Sequence, residues 1–334
     1  MTIRESWLKT EKKILSPFAF LSKNASRPGG AELDDTRTDF QRDRDRIIHS
    51  KSFRRLKGKT QVFMSADGDH FRTRLTHTLE VSQIARTVAR ALRLNEDLVE
   101  AISLGHDLGH TPFGHCGETT LDAIAPFEFK HYEQSVRVVQ VIEREYRGLN
   151  LTNEVADGIL NHSGGATAST LEGKVVKFSD KIAYINHDID DAVRCGILKE
   201  SDIPQKFLKA LGDTHSARIS TMVNAIIDES RDKDDVTMQG DIYELMYGLR
   251  EFMFENVYKH PFAVAEEKKA AHLVVELYEF FLNNPSDMPG EYILSVEREG
   301  LERTVCDYIA GMTDNYATIM FTDKIVPKAF YYAR

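Results

Sequence analysis

Apolar residues recur every three or four positions through most of this chain, and this spacing constrains the fold more than any other feature of the sequence. Val81, Ile84, Val88 and Leu92 form one such face, and His77 lies on the same face. Similar periods predict further helices over residues 136–146, 155–160, 182–189, 242–258, 265–282 and 299–319. A half-buried strand would alternate with a period of two instead. The sequence therefore predicts an all-α fold without a substantial sheet.

The chain divides by composition into three parts. Residues 1–40 are polar and contain the Pro-Gly-Gly sequence at 28–30, which predicts an irregular N-terminal arm. Residues 41–227 contain the strongest helical patterns together with the histidine motifs described below. A polar segment opens the third part, and we expect residues 228–334 to form a helical region that completes the site built by the second part.

Composition argues against several classes of protein. The first residues, MTIRESWLKTEKK, are charged and lack an apolar core, so a signal peptide is not expected. The most apolar stretch, HLVVELYEFFL, contains Glu276 and Glu279 and is too short to cross a membrane. Cys116, Cys195 and Cys306 are far apart, which argues against a disulfide framework or a zinc ribbon and favours a cytoplasmic location.

One basic segment contrasts with the net charge of the whole chain, which is −9. Residues 42–60 contain eight Lys or Arg against two Asp. An acidic protein with one such segment is not suited to coating duplex DNA, but the segment could bind a single polyanionic ligand. A solvated helix face is the alternative, and the charges alone do not separate the two.

His106-Asp107 pairs an imidazole nitrogen with a carboxylate oxygen. Neighbouring residues on a helix point about 100° apart, so both side chains reach one ion only where a helix ends. We expect this helix to begin at the capping-box spacing of Asp97 and Glu100 and to end at Gly109. The dipeptide alone is a weak indication of a metal site, because it occurs by chance in many chains.

Two further residues strengthen this indication, because their surroundings are unfavourable for them. His77 interrupts an apolar helix face, and Asp180 lies among the apolar residues of VVKFSDKIAYI, where an unpaired carboxylate is costly. Coordination of a metal ion would explain both residues. Each also has an ordinary explanation, as a core histidine for His77 and as a helix N-cap or ion-pair partner for Asp180.

The segment GHDLGHTPFGHCGE, residues 105–118, carries three histidines, an aspartate and a glutamate among four glycines and a proline. Glycine allows the backbone to approach a ligand closely. His115 and Glu118, three residues apart, have the spacing of a base and the carboxylate that fixes its tautomer. A structural zinc site is the alternative, although such sites prefer several cysteines and Cys116 is the local one.

Three stretches resemble the H…HD…D motif of the HD superfamily, and more closely its bacterial dGTPase-like branch: RLTHTLEVSQIAR, SLGHDLGHTPFGHCGE and KFSDKIAYINHDIDDA. Two others, FRRLKGKTQVF and VCDYIAGMTD, are similar to further blocks of that branch, so the resemblance extends over about residues 38–318. It implies that residues 41–227 form an HD-domain helical bundle, a metal-dependent phosphohydrolase domain, with additional C-terminal helices.

The resemblance also implies a role for individual residues. It implies that a divalent metal ion is bound by His77, His106, Asp107 and Asp180, and that His115 with Glu118 forms the catalytic pair. The implied substrate-binding residues are Gln61 at a sugar hydroxyl, Arg74, His110 and His131 near the phosphates, and Tyr184 and Asp188 in the sugar and phosphate pocket. Mixed nitrogen and oxygen ligands suit Mn, Mg, Fe, Co or Zn alike.

The implied reaction is hydrolysis of a deoxynucleoside triphosphate (dNTP) to a deoxynucleoside and inorganic triphosphate. Further cations for the triphosphate are expected from among Arg54, Arg55, Lys57 and Lys59. Two alternatives remain: another HD nucleotide phosphohydrolase, such as a phosphodiesterase or 5′-nucleotidase, and a catalytically silent sensor of nucleotides or single-stranded nucleic acid. The intact pair of His115 and Glu118 argues against a silent protein, because a pure binder does not need a proton-transfer pair.

The expected partners are dNTPs and further copies of the chain in a homo-oligomer, without a membrane. An allosteric nucleotide or a single-stranded nucleic acid is left open as an additional partner. The oligomer is motivated by the resemblance, by the arm and by the C-terminal sequence KAFYYAR, because neither terminal segment has an evident use in a monomer.

Overall fold

A computed structural model describes residues 1–30, 32, 34–61 and 72–328 of the chain. Helices and the turns between them make up these ranges, and within them there is no sheet, only an isolated antiparallel bridge between Thr60 and Thr73. The all-α prediction is confirmed. Its physical basis is the helical period of the apolar residues, since Val81, Ile84 and Val88 all lie on the buried face of one helix.

The helices that carry the histidine motifs lie before residue 200. They are α1 (Ile3–Ile14), α2 (Asp39–Ile48), α3 (Lys51–Arg55), α4 (Arg74–Ala91), α5 (Glu96–Gly105), α6 (Gly114–Ile124), α7 (His131–Arg137), α8 (Glu143–Tyr146), α9 (Asn153–Asn161) and α10 (Leu171–Arg194). A π-helical turn, Val138–Ile142, joins α7 to α8. Helix α10 packs against α4, α5 and α9, and these four helices surround the predicted metal ligands.

The remaining helices form the C-terminal part of the fold. They are α11 (Gln205–Leu211), α12 (His215–Ser230), α13 (Gly240–Met253), α14 (Pro261–Asn283), α15 (Gly290–Ile293), α16 (Val296–Glu299), α17 (Leu301–Ala310) and α18 (Asp314–Lys324). A π-helical turn, Phe254–Tyr258, precedes α14. Helices α12 and α13 pack against α10, and α14 packs against α6. The C-terminal helices therefore contact both sides of the predicted site.

The helix before His106 begins and ends earlier than the sequence predicts. Its N-cap is Asn95, whose side chain accepts a hydrogen bond from the amide of Leu98, so Asp97 lies inside the first turn. The helix ends at Gly105, and His106 follows as its C-cap. Asparagine is as good an N-cap as aspartate, and the sequence alone did not distinguish the two. The early end is what allows the side chains of His106 and Asp107 to point to one place.

The predicted irregular arm is wrong in its secondary structure, because Ile3–Ile14 form a helix. Buried Glu11 accepts hydrogen bonds from the amide and hydroxyl of Ser22, and buried Arg27 forms an ion pair with Asp43. The sequence shows that Glu11 and Arg27 are polar, but it does not show which distant residues form hydrogen bonds or ion pairs with them. The segment packs on its own chain, so it has a use in a monomer, and most of KAFYYAR (residues 329–334) lies outside the described residues.

Gly109 does not end a helix, as the sequence suggested, but allows the loop after α5 to pass close to α7. A Cβ atom at this position would lie 2.2 Å from the amide nitrogen of Ser135 and 2.5 Å from the carbonyl oxygen of His131. Both are backbone atoms and cannot move aside. We expect Gly109→Ala to lower the free energy of unfolding by about 2 kcal/mol or more, measured by urea denaturation. Gly165→Ala is the control, because a Cβ there meets nothing within 4 Å.

An equal effect of the two substitutions on the free energy of unfolding would contradict this account of Gly109, since it would show that the contact with α7 is not required.

Candidate metal centre and active site

The four predicted metal ligands come from three elements that meet. His77 lies on α4, His106 and Asp107 lie in the turn after α5, and Asp180 lies on α10. Nε2 of His77 is 3.1 Å from Oδ1 of Asp180 and 3.9 Å from Oδ2 of Asp107. Nε2 of His106 is 3.3 Å from Oδ1 of Asp107 and 3.8 Å from Oδ1 of Asp180. These spacings suit nitrogen and oxygen ligands that each bind one ion at about 2 Å.

His106 provides the test of whether these residues fit a metal ion. Its Nδ1 donates a hydrogen bond to the carbonyl of Ser103 at 2.6 Å, and its Nε2 is the ring nitrogen that faces the cluster. Nε2 is buried and has no hydrogen-bond partner among the described residues. A buried nitrogen of this kind is costly unless a ligand satisfies it. Metal-binding histidines commonly donate their other ring nitrogen to a backbone carbonyl, so the residues fit the ion.

Asp107 lies among several basic groups. Arg74 donates from Nη1 to its Oδ2 at 2.9 Å, and Nε2 of His110 lies 3.1 Å from its Oδ1. Burial favours the neutral acid, but His106, His110 and Arg74 outweigh burial and hold the pKa of Asp107 well below its usual range. Asp107 is therefore a carboxylate, the form that binds a metal ion.

His110 and His131 stack with their ring centroids 4.0 Å apart and their planes 13° from parallel. Burial, followed by the charge of Arg74, lowers the pKa of His110 well below its usual range. With Asp107 the two rings form a second group of ligand-type atoms within 4.8 Å of one another. The nitrogen lone pairs of two nearly parallel rings do not converge on one point, and this geometry disfavours a second ion.

His162 belongs to the same group of histidines, and the sequence reasoning missed it. Its ring centroid lies 4.9 Å from that of His106 and 5.3 Å from that of His131. Its Nδ1 donates to the carbonyl of Ile159 at 2.7 Å, and burial together with the neighbouring histidines lowers the pKa of His162 to about 3. The signal in the sequence was a histidine at the end of an apolar helix, shortly before the Gly-Gly sequence at residues 164–165.

Glu118 is shared between two histidines rather than paired with one. Its Oε2 lies 3.3 Å from Nδ1 of His115, and its Oε1 accepts from the amide and from Nδ1 of His131 at 2.8 and 2.9 Å. Burial opposes ionisation, but these hydrogen bonds lower the pKa of Glu118 well below its usual range. The hydrogen bond to Glu118 in turn raises the pKa of His115, whose side chain is 88% exposed. His115 therefore carries a proton readily at the open side of the site.

Tyr184 and Asp188 lie on α10, one and two turns after Asp180, and each contacts a residue from the C-terminal part. Tyr258 donates its hydroxyl to Oδ2 of Asp188, and Nε of Arg250 donates to the hydroxyl of Tyr184 at 2.8 Å. Burial raises the pKa of Asp188 to about 7. The sequence reasoning missed Arg250 and Tyr258, because their helical pattern is ordinary and their partners on α10 lie 66 and 70 residues earlier in the chain.

Gln61 approaches the site from the segment after α3. Its carbonyl oxygen is 3.5 Å from the position that a Cβ would take on Gly114, and its side-chain Oε1 is buried without a partner among the described residues. A buried amide oxygen of this kind is available to a ligand. The next residues of the KTQVF block, 62 and 63, lie outside the described ranges.

The basic segment contributes less to the site than its charge suggests. Lys59 is buried, and its Nζ donates to the main-chain carbonyls of His110 and Ala310. Arg55 donates to the hydroxyl of Ser52, and Arg54 donates to a backbone carbonyl at the surface. Of the four residues from which further cations were expected, Lys59 is thus engaged by the protein's own backbone rather than free to contact a triphosphate.

The described part of the chain has no helix that combines the length and the apolar character needed to cross a membrane.

The models of two protein families match the sequence. Residues 74–185 match the HD domain, and residues 236–323 match the phosphohydrolase-associated domain.

Two relatives are similar over nearly the whole chain. A protein of Caldanaerobacter subterraneus subsp. tengcongensis, named deoxyguanosinetriphosphate triphosphohydrolase-like protein, is 56% identical over 332 residues, which cover 99% of this chain and 98% of the relative. A protein of Clostridium perfringens with the same name is 50% identical, and the match covers 99% of this chain and 100% of the relative.

Solved structures resemble the fold more distantly. A phosphohydrolase from Bacteroides thetaiotaomicron has a TM-score of 0.53 at 18% identity, and the match covers 83% of this chain and 67% of that chain. A hypothetical protein from Aquifex aeolicus has a TM-score of 0.51 at 21% identity, over 85% of this chain and 68% of that chain. At these identities the likeness concerns the fold alone.

Proposed function

This chain belongs to the family of HD-domain proteins named deoxyguanosinetriphosphate triphosphohydrolase-like, and on that basis we propose that it hydrolyses dNTPs to deoxynucleosides and inorganic triphosphate. Family membership supports a phosphohydrolase, and the buried His/Asp cluster supports its dependence on a metal ion. The choice of dNTPs as substrates and of triphosphate as product is our proposal.

We assign the metal ion to His77, His106, Asp107 and Asp180. When bound, it supplies a Lewis acid for the phosphate that is attacked. The proposal is supported by the orphaned Nε2 of His106 and by the low pKa of Asp107 described above.

Arg74, His110 and His131 are proposed to bind the phosphates. Arg74 uses one guanidinium nitrogen on Asp107, while its Nε is buried without a partner among the residues described. Nδ1 of His110 is likewise buried and unpartnered there. Attack of water on the α-phosphate breaks its bond to the 5′-oxygen, so the deoxynucleoside departs and the triphosphate remains among these side chains. Fixed donors in a buried site stabilise its several negative charges more strongly than water does.

His115 and Glu118 are proposed to transfer the proton. Because hydrogen bonding to Glu118 raises the pKa of His115, the imidazole is held in the protonated form that can donate a proton to the departing 5′-oxygen. Glu118, as a buried carboxylate, keeps the ring in one orientation and stabilises its positive charge.

Gln61, Tyr184 and Asp188 are proposed to bind the sugar. Tyr258 and Arg250 hold the side chains of Asp188 and Tyr184 from the C-terminal part, which supports the proposal that residues 228–334 complete the substrate pocket of the 41–227 domain. The 1–40 segment is proposed to stabilise that domain from outside the site, because its buried polar side chains bond to α2 and to the segment's own residues rather than to the metal cluster.

The observation that supports the proposal is the grouping of nitrogen and oxygen atoms from His77, His106 and Asp107, with Asp180 beside His77. Buried Arg74 and the proposed proton-transfer pair lie next to this group. The test is ion-exchange chromatography of the products after incubation with each dNTP and each ribonucleotide, with Mn²⁺ or with Mg²⁺. Inorganic triphosphate and deoxynucleoside in equal amounts would support it. Release of phosphate or pyrophosphate would indicate another HD phosphohydrolase, and binding without any product would indicate a nucleotide sensor.

We expect a distinctive pH dependence if His115 acts as the acid. The pKa of His115 is raised, so its proton persists to higher pH, and kcat should fall as the pH rises through that pKa. The groups that face it are Glu118, Arg74 and Glu267. Glu118→Gln removes the charge that raises this pKa, so the alkaline limb of the kcat profile should move to lower pH. An alkaline limb that stays in place in this variant would assign the acid to another group.

We also propose a cytoplasmic homo-oligomer, with an allosteric nucleotide or single-stranded nucleic acid as an additional ligand to be tested. Cys116, Cys195 and Cys306 are unpaired, which suits a reducing compartment. Trp7 and Ile3 on α1 are 41% and 67% exposed and offer an apolar surface to a second copy. Light scattering at micromolar concentration tests the oligomer, and a fully active monomer would contradict it.

A further inference from the structure

The loop between the metal ligand Asp107 and the catalytic histidine His115 ends in a strained turn. Phe113 has a φ of 61° and Gly114 a φ of 59°, so two consecutive residues adopt left-handed backbone conformations. For a residue with a side chain such as Phe113, this conformation costs about 1–2 kcal/mol. Phe113 is also the N-cap of α6, but no side-chain cap stabilises this helix start in the described structure. The turn must therefore be held by contacts from elsewhere in the fold.

Asp314, the first residue of α18, makes these contacts with its two carboxylate oxygens. Its Oδ1 accepts a hydrogen bond from the amide of Phe113 at 2.9 Å, and its Oδ2 accepts one from the amide of Thr60 at 2.9 Å. Phe113 lies two residues before His115, and Thr60 lies one residue before Gln61. One carboxylate thus joins the backbone that carries the catalytic histidine to the backbone that carries a proposed sugar contact.

Lys59 holds the other end of the same loop. Its buried Nζ donates to the carbonyl of His110 and, at 2.7 Å, to the carbonyl of Ala310 at the end of α17. Burial and then the nearby charge of Arg55 lower the pKa of Lys59 well below its usual range. The loop from His110 to Phe113 is therefore bonded at both ends to residues outside the HD motif. Asp314 belongs to the C-terminal part, and so does Ala310, to which Lys59 also donates.

We propose that Asp314 is a positioning residue for the reaction: it aligns His115 with Gln61 by bonding the Phe113 and Thr60 amides with one carboxylate. The inference rests on the proposed function, because it takes His115 as the proton donor. Removal of the carboxylate frees the strained turn to relax, and His115 then loses its placement relative to the substrate. A displacement of about 1 Å in a catalytic group can lower a rate by about 100-fold.

The test compares Asp314→Ala and Asp314→Asn with the wild-type full-length protein. Alanine removes both acceptors, whereas asparagine keeps the volume and one acceptor, so the effects should be graded. We expect kcat to fall by about 10- to 100-fold in the alanine variant and less in the asparagine variant, while bound metal stays unchanged. Asp323→Asn is the control, because Asp323 lies at the exposed end of the same helix and pairs only with Lys324 and Lys328 among the described residues.

Hydrogen–deuterium exchange adds a measurement that does not depend on activity. The Phe113 and Thr60 amides should exchange faster in both Asp314 variants, whereas the amides of α10 should be unchanged. If the wild-type protein releases no triphosphate, the proposed function is wrong. The positioning of the loop is still tested in that case, by the amide exchange rates and by the rate at which each variant hydrolyses bis(4-nitrophenyl) phosphate relative to the wild type.

Three outcomes would overturn the inference. The first is a kcat and an amide exchange that stay within about twofold of the wild type. The second is loss of bound metal in parallel with loss of rate, which would mean that Asp314 acts on the metal centre. The third is failure of the asparagine variant to fold, which would make Asp314 a residue of general stability.

Discussion

Replacing Asp107 with alanine is expected to remove the bound metal and the hydrolase activity together. Asp107 is one of the four proposed ligands, and its carboxylate also lies 2.9 Å from Nη1 of Arg74 and 3.1 Å from Nε2 of His110. A metal ion supplies several kcal/mol of transition-state stabilisation, so kcat/KM should fall by about a thousandfold or more. Metal content is measured by inductively coupled plasma mass spectrometry on the same preparation that is assayed.

The alanine variant also leaves Arg74 as a buried charge without its partner, which costs about 3–5 kcal/mol. Asp107→Asn is therefore the companion variant, because it keeps the volume and one acceptor for Arg74 while it removes the negative charge. Asp234→Asn is the control, because Asp234 is exposed and outside the site. A folded Asp107→Asn protein that retains stoichiometric metal would remove Asp107 from the ligand set.

His115→Ala is expected to lower kcat by at least about a hundredfold without loss of metal or stability. General acid–base catalysis typically contributes about 10²- to 10⁴-fold, and the contributions of the metal and Arg74 should survive. Because the His115 side chain is 88% exposed, its removal should change the free energy of unfolding by less than about 0.5 kcal/mol. The measurements are kcat, metal content and thermal unfolding. His272→Ala, at an exposed histidine of α14, is the matched control.

Two results would contradict this role. Loss of metal in His115→Ala would make His115 a ligand, although it belongs to neither cluster of ligand atoms among the described residues. Retention of both metal and rate would move the proton donor elsewhere, and His110 and His131 would be tested next.

Glu118 has two proposed roles, orientation of His115 and hydrogen bonding to His131, and a double variant can separate them. Glu118→Ala should lower kcat less than His115→Ala, because it leaves the imidazole in place. The double variant should lose less than the product of the two single effects, since orientation of His115 has no value without His115. The loss that Glu118→Ala still causes in the His115→Ala background then measures its second task, the hydrogen bonds to His131.

The helical fold could be predicted from the sequence because the relevant signal is local. Residues three or four positions apart lie on one face of a helix whatever surrounds it, so the apolar period of α4 and α10 carried the prediction. The candidate metal ligands were found for a related reason. His77 and Asp180 occupy apolar surroundings in which each is unfavourable alone, and the family motif related them to His106-Asp107.

Sequence reasoning failed wherever a residue's role depends on a distant partner. Lys59 was one of four candidates for contact with the triphosphate, yet it donates to carbonyls 51 and 251 residues away. Arg250 and Tyr258 were missed, although they contact Tyr184 and Asp188. The N-terminal segment was expected to be irregular because it is polar and contains Pro-Gly-Gly, whereas its buried Glu11 and Arg27 bond to Ser22 and Asp43.

There is a physical reason why some features of this protein can be predicted from its sequence and others only from its tertiary structure. Helix boundaries, caps and the motif itself depend on neighbours within a few residues, and the order of residues along the chain contains them. The contact of Asp314 with Phe113 spans 201 residues, and it exists only because α18 and α6 pack on the same helix, α14. Such contacts depend on the angles and distances at which helices pack, and a one-dimensional pattern of residue types does not specify these.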